Sequence, residues 1–111
     1  LELQDRLNIT THDNLQDIIS DLDVVYTTRI QKERFPDLQE YERVKGSYKI
    51  DMDLLNQAKE NLILLHPMPR SDEIPSEIDH TAFAKYFNQV SYGKLIRSTL
   101  LYLIFTENSS F

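Results

Sequence analysis

Arg29 and Gln31 flank Ile30 in the polar run Thr27-Thr28-Arg29-Ile30-Gln31-Lys32-Glu33-Arg34. In extended backbone, side chains two positions apart point the same way, so a guanidinium and an amide can share one ligand. That pair suits a carboxylate, which takes a bidentate charge-assisted contact from the arginine and a neutral donor from the glutamine. Lys32 and Glu33 are near enough in sequence to hold Arg29 from behind. The competing account is a solvated loop of mixed charges, whose exposed ion pairs contribute under ~1 kcal/mol each. Spacing alone favours that plainer account.

A second polar run is His66-Pro67-Met68-Pro69-Arg70-Ser71-Asp72-Glu73. Imidazole suits acid–base work near neutral pH. No nearby base or nucleophile supports that role for His66, so local hydrogen bonding at a strand end is the better account. Pro67 and Pro69 stiffen the segment so that backbone carbonyls at His66 or Met68 face a ligand. The Met68-Pro69 bond is of the kind that tolerates the cis form in tight functional turns. Arg70 either binds an anion or pairs with Asp72 and Glu73. Those two carboxylates are adjacent in sequence and do not face one substrate as an acid/base pair. His12 and His80 lack partners at metal-ligand spacing, and the two glycines lie too far apart for a phosphate loop. No residue is assigned a catalytic role.

Both runs follow predicted strands. Asp23 to Thr28 is β-branched and aromatic and reads as a buried parallel strand; Leu62 to Leu65 reads as a second. In open α/β sheets ligands bind beyond the carboxyl ends of the strands, so neighbouring strands would bring both runs to one crevice. Around them, Leu7 to Thr10 reads as a short strand, and Asp13 caps a helix to about Ser20. A short helix is expected over Leu38 to Val44, stopped at Gly46, with Tyr48 to Ile50 extended. Asp51 caps a helix over Met52 to Glu60, with Ile50 and Leu55 placed as a hydrophobic staple. Ser76 to Phe87 reads as helical in places. The last helix, Tyr92 to Thr106, carries apolar residues on nearly every side, which expects burial on more than one face. The fold class is α/β, a partial parallel sheet flanked by helices plus a C-terminal crossover helix.

The 111 residues suffice for one small domain, and 41% hydrophobic with 27% charged residues is a folded, globular balance. No apolar run approaches the roughly 18 residues of a membrane span. Eighteen acidic residues against twelve basic, a net charge of −6, disfavour nucleic acid or an anionic membrane as partner. The absence of cysteine excludes disulfides and thiolate chemistry within the chain. The chain opens without Met and without a basic-then-apolar leader, and the expected compartment is the cytoplasm, an organelle being the other one allowed.

Taken in order, TTRIQKERF, YERVKGSY and LHPMPRSDEI, and then DHTAFAKYFNQVSYGKLIRSTLLYLI, resemble the aspartate carbamoyltransferase family over nearly the whole chain. The pairing of R-x-Q-K-E-R with H-P-x-P-R-x-D-E carries the resemblance. Ornithine carbamoyltransferases carry cysteine in the second motif where Pro67 stands. The resemblance implies the second half of an aspartate-binding domain over residues 1–90. It also implies a helix over residues 91–111 that packs on a carbamoyl-phosphate half missing from this sequence. Arg29 and Gln31 would hold the aspartate side-chain carboxylate, and Glu33 would orient the arginine. Residues His66, Pro67, Met68 and Pro69 would touch the carbamoyl group and the attacking amine. Met68 stands where the family often has Leu, which leaves a backbone role intact. Glu40 to Ser47, with Lys45, would form a loop closing over the substrates, Tyr41 and Asp72 would meet in the open state, and Arg70 would support the site.

The implied reaction joins L-aspartate and carbamoyl phosphate in pyrimidine biosynthesis, with no cofactor and no metal. It runs in a homotrimer of the full-length protein, and this chain alone is predicted inactive. The competing reading is a non-catalytic interaction or regulatory module that uses its final helix and has no need of Arg29. A carbamoyltransferase for a cationic amino acid is a weaker reading, because that substrate would clash with Arg29.

Overall fold

The structure is a computed structural model that describes residues 7–31, 35–37, 39, 41–42 and 49–107. Strand β1 spans Val24–Tyr26 and β2 spans Ile63–Leu65. They pair in parallel, with Val24 opposite Ile63, Val25 opposite Leu64 and Tyr26 opposite Leu65. Adjacent parallel strands need a crossover connection, which residues 27–62 provide. On the other edge of β2, Leu64 donates its N–H to the Phe83 carbonyl at 2.9 Å and accepts from Lys85 at 3.1 Å. Leu64 therefore sits at the centre of the small sheet, fully buried.

One face of the sheet forms the core. Val25, Leu62 and Leu64 pack there with Ile19, Ile50, Leu55, Ile74, Ile78 and Tyr86. The expectation of strands buried on both faces is corrected: Val24 is 48% exposed, Tyr26 56% and Ile63 39%. Successive strand residues alternate in direction, so with one face covered the neighbours of Val25 and Leu64 lie open.

Helix α1 spans Met52–Leu55, with the Asp51 carboxylate accepting from the Leu54 N–H at 3.0 Å. Ile50 and Leu55 are both buried, as a hydrophobic staple requires. The expected continuation to Glu60 is replaced by tight turns, because the N–H groups of Gln57 and Ala58 bond to carbonyls three residues back. The helix predicted from Asp13 is two short 3-10 turns, Leu15–Asp17 and Ile19–Asp21. The first is capped by Asn14, whose Oδ1 accepts from Gln16 N–H at 3.1 Å, and the second has no side-chain cap. At Leu7–Thr10 a turn, closed by Ile9 N–H on the Leu7 carbonyl, stands where a strand was expected. In the expected helix at Leu38–Val44, Gln39, Tyr41 and Glu42 are helical and Asp37 caps them, its Oδ1 accepting from Gln39 N–H. The rest of that helix, Gly46 and Tyr48 lie outside the described residues.

A 3-10 turn over Ser76–His80 leads to helix α2, Tyr86–Glu107, which starts at Tyr86 rather than Tyr92 because Tyr86 anchors it in the core. Its 22 residues extend about 33 Å. Tyr92, Leu95, Ile96, Leu100, Leu101, Leu103 and Ile104 are all exposed along it. The radius of gyration is 18.0 Å, against about 13 Å for a compact chain of this length. No helix among the described residues is long and apolar enough to cross a membrane.

Candidate functional site

β1 and β2 run parallel in register, so the segments leaving their carboxyl ends emerge side by side. A cleft of about 690 Å³ opens there, lined by Thr28, Arg29, Gln31 and Phe35 on one side and His66, Pro67, Met68 and Pro69 on the other. The convergence expected from the two polar runs is present. Arg29 and Gln31 both line the cleft with exposed side chains, while Ile30 between them is half-buried, the alternation of an extended segment.

The opposite wall is held from inside. His66 is fully buried, and its backbone N–H donates to Gln89 Oε1 at 2.9 Å. Its ring Nδ1 accepts from the Met68 N–H at 2.9 Å, and Nε2 lies 2.7 Å from the buried Glu73 carboxylate. An amide N–H can only donate, so Nδ1 is unprotonated and the ring hydrogen sits on Nε2, pointing to Glu73. Both ring nitrogens are thus engaged, which matches local hydrogen bonding better than acid–base work. Glu73 also accepts from Ser71 N–H through both oxygens, at 3.1 and 3.0 Å. Met68 sits at φ 54°, and the Met68-Pro69 bond is cis.

Pro67 and Pro69 have no N–H, and the N–H groups of His66 and Met68 are spent inside the protein. Residues 66–69 therefore keep only carbonyl acceptors and apolar surface for the cleft. The facing wall carries the donors of Arg29 and Gln31. A ligand bearing a carboxylate at one end and N–H groups at the other matches this polarity.

Arg70 behaves differently from either expectation. It pairs with Asp79, not with Asp72 or Glu73: Nη2 lies 2.6 Å from Oδ2, and Nη1 bonds Oδ1 as well. The Tyr86 hydroxyl donates to the same carboxylate, and the guanidinium lies over the Tyr86 ring, 5.4 Å from its centroid. The hydrogen bond from Arg70 holds Asp79 down to about 2, and burial, then the bond to Asp79, pushes Tyr86 up to about 12. The same contact to Asp79 raises Arg70 above its ordinary value. This cluster ties the segment after the cleft wall to the start of α2. Nothing in sequence spacing pairs residue 70 with 79 and 86.

Tyr41 packs edge-on against Phe35, ring centroids 5.7 Å apart, which puts it behind a cleft-lining residue. Asp72 is exposed. Glu33 and Lys45 lie outside the described residues. Thr28, Phe35, Glu73 and Gln89 were missed from sequence. Thr28 adjoins Arg29 and was within reach of the same argument, whereas the others depend on contacts that no local pattern announces.

Residues 2–104 match the family model described as aspartate/ornithine carbamoyltransferase, Asp/Orn binding domain. The aspartate carbamoyltransferase catalytic subunit of Nitrosopumilus maritimus is 53% identical over 107 residues, 96% of this chain and 35% of that protein. That of Pyrobaculum islandicum is 56% identical over 98 residues, 88% of this chain and 32% of that protein. Among solved structures, the catalytic subunit of M. jannaschii aspartate transcarbamoylase superposes with TM-score 0.69 at 49% identity, over 80% of this chain and 28% of that one. The Trypanosoma cruzi aspartate transcarbamoylase in complex with carbamoyl phosphate gives TM-score 0.71 at 38% identity, over 80% and 29%. The chain spans about a third of the length of the curated relatives it matches. Relatives named as catalytic subunits do not favour the non-catalytic reading. By the match over residues 2–104, and by these relatives, the chain belongs to the aspartate/ornithine carbamoyltransferase family, within its Asp/Orn-binding domain.

Proposed function

We propose that this chain supplies the aspartate side of an aspartate carbamoyltransferase site. The observation that carries the proposal is the polarity of the cleft, with Arg29 and Gln31 facing a wall at residues 66–69 that offers only acceptors. Arg29 and Gln31 bind the side-chain carboxylate of L-aspartate. Carbonyls of the 66–69 segment accept from the α-amine and from the amide of carbamoyl phosphate. The amine nitrogen attacks the carbamoyl carbon, the C–N bond forms, the C–O bond to phosphate breaks, and the amine gives up a proton. Carbamoyl-aspartate and phosphate result. The barrier falls through positioning and through stabilisation of the tetrahedral oxyanion, with no covalent intermediate on the protein.

Carbamoyl phosphate is held by a domain outside these 111 residues, so the chain alone is inactive. The exposed apolar length of α2 within residues 91–111 docks on that domain, while residues 1–90 form part of the aspartate-binding domain. Glu33 orients Arg29, the loop bearing Lys45 closes over the substrates, and Tyr41 with Asp72 favours the open arrangement. Arg70 supports the site by anchoring its wall through Asp79. The full-length protein works as a homotrimer in the cytoplasm or an organelle.

The test is carbamoyl-aspartate formation by this chain, alone and mixed with a separately made carbamoyl-phosphate domain. Activity only in the mixture, lost with Arg29→Ala, supports the reading. No activity in a mixture shown to be folded and associated overturns it.

A further inference from the structure

Residues 66–69 stand as a thin partition. On one side is the cleft with Arg29 and Gln31; on the other is a second cavity of about 550 Å³, bordered by Tyr26, Gln89, Val90, Gly93 and Arg97. Pro67 and Pro69 are exposed, and Met68 is half-buried with its side chain against the core, a contact that holds the side chain but leaves the direction of the backbone N–H open. Met68 nevertheless holds φ 54°, in the left-handed region that residues other than glycine seldom adopt. Beside that side-chain contact, two hydrogen bonds fix the backbone: His66 N–H to Gln89, and Met68 N–H to His66 Nδ1.

The second of these bonds depends on which ring nitrogen carries the hydrogen. The Nε2–H form leaves a lone pair on Nδ1 for Met68; the Nδ1–H form would set two donors against each other. The buried Glu73 carboxylate, 2.7 Å from Nε2, selects the first form. We infer that Glu73 is a positioning residue: acting through the His66 tautomer, it keeps the Met68 N–H turned inward and the cleft wall free of donors. Without it, Met68 is released to swing its N–H toward the cleft, where it would oppose the N–H groups of an incoming amine or carbamoyl group. The tautomer and the hydrogen bond stand on geometry alone. The effect on the reaction rests on the carbamoyltransferase reading.

Nitrogen-15 NMR of the labelled 111-residue chain tests this through the two His66 ring nitrogens and hydrogen exchange at the Met68 amide. The unsubstituted chain should show one tautomer, Nε2–H, and a protected Met68 amide. Glu73→Gln keeps an acceptor and should retain both. Glu73→Met removes the acceptor, so the Nδ1–H form should appear and Met68 exchange should accelerate about fivefold or more, with the Leu64 amide unchanged. In the reconstituted reaction, Glu73→Met should lower kcat and leave KM for aspartate within about twofold, because Arg29 and Gln31 are untouched. An Nδ1–H tautomer in the unsubstituted chain overturns the inference even if the methionine variant fails to fold. So does a Glu73→Met chain that keeps the Nε2–H form and a protected Met68. Loss of the carbamoyltransferase reading is seen separately, as a reconstituted mixture whose activity or aspartate binding ignores Arg29→Ala.

Discussion

Arg70 grips Asp79 through both terminal guanidinium nitrogens, with Nη2 2.6 Å from Oδ2, and Tyr86 donates to the same carboxylate from the first turn of α2. One carboxylate thus joins the cleft wall, the Ser76–His80 turn and the long helix. Asp79 is held down to about 2, so its contribution is present above the unfolded value near 4 and is lost as pH falls toward 2. Tyr86 is pushed up to about 12, so its contribution is present below about 10 and is lost as pH rises through 12. The side chains of Arg70 and Asp79 are 16% and 20% exposed, so solvent screens the pair only in part. Asp79→Asn should lower stability by about 1–2 kcal/mol at pH 7 and have little effect near pH 2, measured by urea unfolding at both.

Aspartate binding should separate the two cleft donors. Arg29→Ala should weaken it by about a hundredfold, since a charge-assisted pair to a carboxylate is lost. Gln31→Ala removes a neutral donor and should weaken it by about tenfold or less. Titration calorimetry with L-aspartate, in the mixture with a carbamoyl-phosphate domain, checks both, and equal effects would count against a shared carboxylate.

Met68 offers a backbone test. Glycine adopts φ 54° without penalty but gives up the contact that the Met68 side chain makes with the core. Met68→Gly should therefore change stability by less than about 1 kcal/mol. Valine resists this conformation and also loses the longer side chain, so Met68→Val should cost about 2 kcal/mol. Thermal melts of the two variants should rank glycine above valine.

Helix α2 leaves Leu101 56% and Ile104 53% exposed. Contiguous apolar surface of this kind promotes association. The chain should sediment as concentration-dependent oligomers, and a Leu101→Glu, Ile104→Glu double variant should shift it toward monomer with little change in folding stability. If α2 docks on a carbamoyl-phosphate domain, the same variant should weaken reconstitution by tenfold or more, on the order of losing two buried aliphatic contacts. An unchanged sedimentation profile would show that this surface is not sticky.

Several features were legible one residue at a time. Asp51 is a helix cap by side-chain type and spacing, and it caps α1. Val24 to Tyr26 and Ile63 to Leu65 are strands because their β-branched and aliphatic residues suit a pleated surface. The donors at Arg29 and Gln31 and the proline-stiffened run after Leu65 were visible because each follows a strand end. The motif pairing placed the chain in its family. Helix ends were less legible: the chain from Asp13 and beyond Leu55 turns on three-residue bonds, where apolar spacing alone suggested longer helices.

Short-range chemistry thus lies in the order of residues: caps, strand formers, missing N–H groups at proline, and the direction of alternating side chains. Folding back of the chain settled the rest. The register of β1 on β2 set Arg29 and Gln31 across from residues 66–69. Packing in the core brought Glu73 and Gln89 to His66, and Asp79 and Tyr86 to Arg70. These partners are 7 to 23 residues apart in sequence, farther than the three- and four-residue spacings at which helix neighbours touch. A hydrogen bond is made by two groups within about 3 Å, and only the path of the whole backbone determines which distant groups come that close.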